Sequence, residues 1–248
     1  NLTHHNTASF LRFVERFIAG EDVHKVEVNK TYAIMLYYAL FQDKLSKTGY
    51  NSINEALELI YLPKYACFKQ EIAEIVSFLL ARLDIKTTPI GAEIIPGLEL
   101  YGCYTREEVF TLVGRQTAEV KMQGTASGSF NLPEYNAVLL FVTLNKSEKD
   151  FSPSTQYNDY LINDEYFHWQ SKNTDSHYNS GGRKYIEQPK TGIKIILFVR
   201  EEKKDGFGNT SPFHCFGLVD YVSSHDDFPM NVKWKLQKPA MAQYLKAI

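Results

Sequence analysis

Residues 137–144 read AVLLFVTL, a run of β-branched, aliphatic and aromatic side chains with no charge, bounded by Asn136 and Asn145. Eight such residues are too few for a stable helix and fit a buried strand. The same grammar returns at 193–199 (IKIILFV), 215–222 (CFGLVDYV) and 232–236 (VKWKL), with Gly, Pro, Asn and Asp clusters between the runs. No long helical pattern separates them, so parallel crossover units are not expected. The runs imply an antiparallel sheet, closed into a barrel.

Upstream the period changes from two to between three and four. Phe10, Leu11, Phe13, Val14, Phe17 and Ile18 recur at helical spacing behind Asn6 and Thr7 and ahead of Gly20. Residues 31–41 (TYAIMLYYALF) are apolar nearly all round, as in a buried central helix, with a docking helix as the other reading. Ser52 and Glu55 open a further helix as a capping box, and residues 71–83 (EIAEIVSFLLARL) form the last. The linker 87–97 (TTPIGAEIIPG) holds two prolines and two glycines and marks a boundary. A second capping box, Thr105 with Glu108, follows it. The expected architecture is α+β: a helical bundle over 1–97, then a mainly antiparallel β-barrel module over 98–248.

Composition narrows the function. The 248 residues carry a formal charge of −2, so nothing global attracts DNA, RNA or anionic lipid, and any polyanion site must be a local patch. Cys67, Cys103 and Cys215 form no CxxC pair, which excludes a zinc knuckle and a disulfide framework and suits a reducing, cytoplasmic setting. No apolar run is long enough to span a bilayer, so no membrane partner is expected. The chain starts NLTHHNT without Met and reads as a piece of a longer polypeptide.

Catalytic signatures fail one by one. The phosphate cradle GxxxxGK[ST] is missing, and Gly181-Gly182-Arg183 lacks the lysine and the spacing. No GxSxG elbow exists; Gly124 to Gly128, with Ser127, has the wrong spacing. His24 precedes Lys25 directly, which is not the HxK of a phospholipase-type nuclease. His4-His5, His214-Cys215 and His225-Asp226-Asp227 read as solvated or structural rather than metal-ligating. No catalytic residue, metal or cofactor is expected. Glu148, Asp150, Asp159, Asp164 and His168, beside Lys149, match no metal motif, which leaves a nuclease site as the third-ranked reading.

What remains is the block 145–185, where rings alternate with lysines, an arginine and amides. Nucleic-acid surfaces need that inventory: rings to stack on bases, cations for phosphates, amides to match base edges. Trp169 and Tyr157 are the stacking candidates; His168, Gln170 and Asn173 the edge readers; Lys146, Lys149, Lys172 and Arg183 the phosphate contacts. The competing reading is structural. Strand alternation sends Tyr166, His168 and Gln170 to one face and Phe167, Trp169 and Ser171 to the other, one of them core.

The strings YTREE (104–108), LLFVTLNKSEKDFSPSTQYNDY (139–160), FHWQSKN (167–173), GRKY (182–185), ILFVREEKKD (196–205) and FGLVDYVS (216–223) resemble the domain of unknown function 3427 family. That region lies at the C-terminus of bacterial superfamily II DEAD/DEAH-type helicases, often behind a phospholipase-D-like nuclease. The expected barrel is of PUA-like, SRA-like or B3-like type, and the resemblance implies a place in a restriction or defence protein. Its partners would be DNA, plain or modified, and the upstream helicase and nuclease domains of the same chain. The expectation is a DNA-recognition module with no catalysis of its own; the alternative is a regulatory domain docking on the helicase motor or a partner.

Overall fold

The structure is a computed structural model that describes residues 2–23, 26–83, 87–90, 94–122, 128–146 and 157–245. The chain divides into two compact units, 1–125 and 126–248. The sequence boundary at 97/98 falls inside the first.

The first unit holds α1 (Ala8–Ile18), α2 (Glu27–Phe41), α3 (Ile53–Glu58), α4 (Ala66–Ala81), the short strands β1 (Thr88–Pro89), β2 (Glu99–Leu100) and β3 (Cys103–Tyr104), and α5 (Arg106–Leu112). All six apolar residues that set the period of α1 are buried. In α2, Tyr32, Ala33, Met35, Leu36 and Tyr37 are buried, so its apolar girth fills the core. Both sequence-read caps form. Ser52 accepts from the Glu55 amide at 3.1 Å, and Thr105 exchanges bonds with Glu108 in a complete capping box. Asn6 does not cap α1. Its side chain instead bonds the Tyr101 carbonyl at 3.0 Å and the Cys103 amide at 2.6 Å, which fixes the chain segment before α1.

Among the described residues the second unit contributes seven strands to its sheet, in the order β4-β5-β8-β9-β10-β7-β6. Its strands are β4 (Ser129–Leu132), β5 (Ala137–Asn145), β6 (Tyr160–Leu161), β7 (Tyr166–Gln170), β8 (Lys194–Glu202), β9 (Phe213–His225) and β10 (Asn231–Leu236). Helices α6 (Ser180–Ile186) and α7 (Gln188–Thr191) precede β8, and α8 (Ala242–Leu245) follows the sheet. Two expectations are corrected here. No closed barrel forms among the described residues: the sheet is open, ending on β4 and β6. The sheet is mainly antiparallel, as expected, but it holds a parallel crossover pair that was not expected: β5 and β8 run parallel from Ala137 opposite Lys194 to Asn145 opposite Glu202. A parallel pair needs only a crossover of a dozen or more residues. Here a hairpin and two short helices supply it, without the long helix whose absence argued for antiparallel pairing. The AVLLFVTL run is buried from Ala137 to Thr143, as a central strand covered on both faces should be.

Candidate nucleic-acid interface

Strand β7 decides the question posed by the aromatic block. Its burial alternates: Phe167 and Trp169 are buried, while Tyr166, His168 and Gln170 are half-buried on the other face. The buried rings enter a cluster in which Trp169 meets Tyr185 edge-on at 5.0 Å and Trp234 at 6.2 Å, and Tyr185 meets Trp234 at 6.0 Å. Trp169 is 5% exposed, so its ring faces are taken by protein and it is not a base-stacking residue. Sequence could not choose the inward face, because both faces carry a ring. Helix α6 supports this core. A Cβ on Gly182 would collide with the Ser176 carbonyl and the Met230 sulfur, so this glycine is there for close packing.

The opposite face of β7 is continued by its neighbours. Directly opposed residues on paired strands point to the same side, and the register sets Tyr160 and Lys233 beside His168, Asn231 beside Gln170, and Lys235 beside Tyr166. The Tyr160 and His168 rings stack at 4.6 Å with planes 14° apart, and Tyr160 is 43% exposed. The Lys233 ammonium sits 4.3 Å from the centre of the Tyr166 ring. His168 Nδ1 lies 2.8 Å from the Asn158 carbonyl, which fixes the imidazole plane under Tyr160. Rings, amides and two lysines thus share one strand-borne surface. Asp220, opposite Lys235 on β9, is its acidic neighbour.

The nine expected contact residues do not all belong to this surface. His168 and Gln170 do. Gln170 is already engaged, accepting from the Asn158 amide at 2.6 Å and donating to Asn231 Oδ1 at 2.9 Å, so it braces the face as well as presenting an amide. Lys172 and Asn173 are exposed just beyond the end of β7, and Tyr157 is half-buried. Lys146 is withdrawn from phosphate contact: its ammonium donates to Asp159 at 2.7 Å and to the Tyr157 carbonyl at 2.7 Å, with 8% of the side chain exposed. Burial raises the Asp159 carboxyl and the Lys146 charge lowers it, while its second oxygen accepts from the Gln170 amide at 2.8 Å. Arg183 is exposed on α6 and paired with Glu187 one turn on. Lys149 lies outside the described residues, as do His24, Ser127, Glu148 and Asp150.

Sequence reasoning missed Asn231, Lys233, Lys235 and Tyr160. VKWKL was read as a strand, yet its alternation was the signal: Val232, Trp234 and Leu236 are buried and the two lysines between them face out.

Three other groups carry chemistry. His177 bridges Asp227, at 2.9 Å from Nδ1, and Ser224, at 2.8 Å from Nε2, and Tyr221 bonds the same serine at 2.8 Å. The His177 amide also donates to Asp227 at 2.7 Å, so the set clasps the segment before α6 to the β9–β10 turn. Two concavities adjoin at the carboxyl ends of β5 and β8. One, about 280 Å³, is lined by residues that include Arg200, His214 and Tyr244. The other, about 690 Å³, has Asn145, Lys146, Lys203 and Lys204 beside Glu202 and Asp205. Both mix cations with carboxylates, so neither is a strongly positive patch. Burial lowers the His214 pKa to about 4, with its Nδ1 2.6 Å from the Tyr244 hydroxyl. In the first unit, His4 and His5 converge on Glu108, where the sequence reading placed no ligand set.

The family described as domain of unknown function DUF3427 matches residues 98–247. The chain belongs to the DUF3427 family. The DUF3427 match takes in every strand and helix of the candidate face. No curated protein matches this sequence. Among solved structures, Arabidopsis thaliana SUVH6 in complex with SAM is similar at 10% identity and a TM-score of 0.40, over 99% of this chain. The chain spans 42% of that chain's length, and at this score the likeness carries no argument. Among the described residues no helix is long and apolar enough to cross a membrane.

Proposed function

We propose that this DUF3427 chain is a DNA-recognition module, itself non-catalytic, serving a cytoplasmic helicase or nuclease of a restriction or defence system. One observation carries the reading. Tyr160, Tyr166, His168, Gln170, Asn231, Lys233 and Lys235 stand on one face of three paired strands. Exposed rings stack on unpaired or flipped bases, paired amides match base edges, and lysines take phosphates. The face is rigid because each of its strands also anchors the Trp169–Tyr185–Trp234 core or the residues next to it.

Fluorescence anisotropy with plain, methylated and hydroxymethylated duplexes and with single strands tests this. Binding should weaken with added salt, since phosphate contacts release counterions, and should weaken further in a Lys233→Ala/Lys235→Ala variant that keeps its unfolding midpoint. No binding to any of these nucleic acids at low salt would end the proposal.

A protein-docking role has its own support. Helix α4 buries only Ile72 and Val76, while Phe68 and Phe78 on it are 45% and 57% exposed. The docking reading takes these two rings as part of a contact surface. Phe68→Ser/Phe78→Ser should then abolish co-purification with the helicase lobes while leaving DNA binding intact.

A further inference from the structure

We propose that His4, His5 and Glu108 form a binding site for a divalent transition-metal ion of the zinc class, tying the segment before α1 to α5. The three side chains each offer one ligand atom, and these atoms lie within 4.8 Å of one another. His4 Nε2 is 3.0 Å from one Glu108 oxygen and His5 Nε2 is 3.2 Å from the other. A tetrahedral ion with bonds of 2.0–2.2 Å holds its ligands about 3.3–3.6 Å apart, so the two histidine–carboxylate spacings need to open by only a few tenths of an ångström.

The donor chemistry selects the ion. Two imidazoles and a carboxylate suit zinc and its neighbours, whereas calcium and magnesium take oxygen ligands. A second observation is independent of the clustering. The His5 side chain is fully buried, its Nδ1 has no hydrogen-bond partner among the described residues, and its Nε2 has only the 3.2 Å approach to Glu108. A buried polar atom left unpaired costs about 1–3 kcal/mol, and an ion drawing on one of those nitrogens supplies its partner.

The surroundings hold the ligands in place. The Thr105 amide donates to Glu108 Oε2 at 2.7 Å, the kind of supporting bond that orients a metal-binding carboxylate. The His5 ring packs 4.4 Å from Phe10 and 4.2 Å from His4. His4 and Glu108 keep 13% and 12% of their side chains exposed, which leaves a path for the ion and an open coordination position for water. An ion there would cross-link positions 104 residues apart.

The full chain, expressed without a histidine tag and stripped with chelator, tests the site by zinc calorimetry and by the visible absorption of bound Co(II). The expected result is one ion per chain and a higher thermal midpoint with zinc. Glu108→Gln keeps the cap on α5, because glutamine also accepts from the Thr105 amide, and His4→Ala changes a partly exposed residue. Both should fold with unchanged circular dichroism. Both should lose the Co(II) bands and bind zinc more weakly, by more than the roughly 10–100-fold that loss of a supporting partner costs. Absence of zinc and cobalt binding by the stripped wild type, or the same stoichiometry and spectrum in both variants, would overturn the assignment.

Discussion

Strand β7 and its partner β10 present two faces with the same residue classes and opposite fates. On one, Phe167, Trp169 and Trp234 are sealed with Tyr185. On the other, Tyr166, His168, Lys233 and Lys235 stay accessible to solvent. An aromatic ring alone therefore says nothing about binding. The neighbours on the pleat do, since lysines flank Trp234 on the far side of the strand and none joins it in the core. The inner face carries stability and the outer one is where we propose recognition, and on that reading the two should respond to mutation separately.

The largest effect should come from the inner face. Trp234→Ala removes a fully buried indole and should destabilise the fold by about 3–5 kcal/mol, read from the urea midpoint, whereas Lys233→Ala should stay within about 0.5 kcal/mol. Equal losses would erase the distinction. Next is a proton effect in the same sheet. Burial depresses His214 to about 4, so the unfolded chain takes up a proton as pH falls below about 6.5 and the folded one does not. Stability should be fully present above that pH and decline by about 2–3 kcal/mol on descent to pH 4, with a flatter profile in His214→Gln. On the outer face, Tyr160→Ala should leave stability nearly unchanged. Losing its ring should cost about 1–3 kcal/mol in binding to single-stranded or flipped bases. The mildest effect belongs to the lysines: Lys233→Ala/Lys235→Ala should weaken binding evenly across sequences and make the salt dependence shallower by about 2 in log–log slope.

Much of the local structure was legible because it depends on neighbours in sequence. The period of α1, both serine and threonine caps, and the strand at 137–144 follow from side chains within a few positions of one another. What failed depends on distant partners. The parallel pairing of β5 with β8 could not be read, because a hairpin and two short helices replace the long crossover helix that signals it. Lys146 looked like a free cation until Asp159 folded against it. His4 and His5 looked like a solvated end, although Glu108, recognised as a cap, was the residue they meet. Tyr160, Lys233 and Lys235 were missed as a group because they reach His168 and Tyr166 only through strand register.

The parallel pair also sets a timetable for synthesis. Thr143 lies opposite Arg200, 57 positions downstream, so as the chain leaves the ribosome β5 has β4 along one edge and waits for β8 to complete the other. Until then its oily surface and unclaimed amides are open to any passing strand. Slow translation or a truncation before residue 194 should therefore leave a nascent fragment that depends on chaperones to stay dispersed.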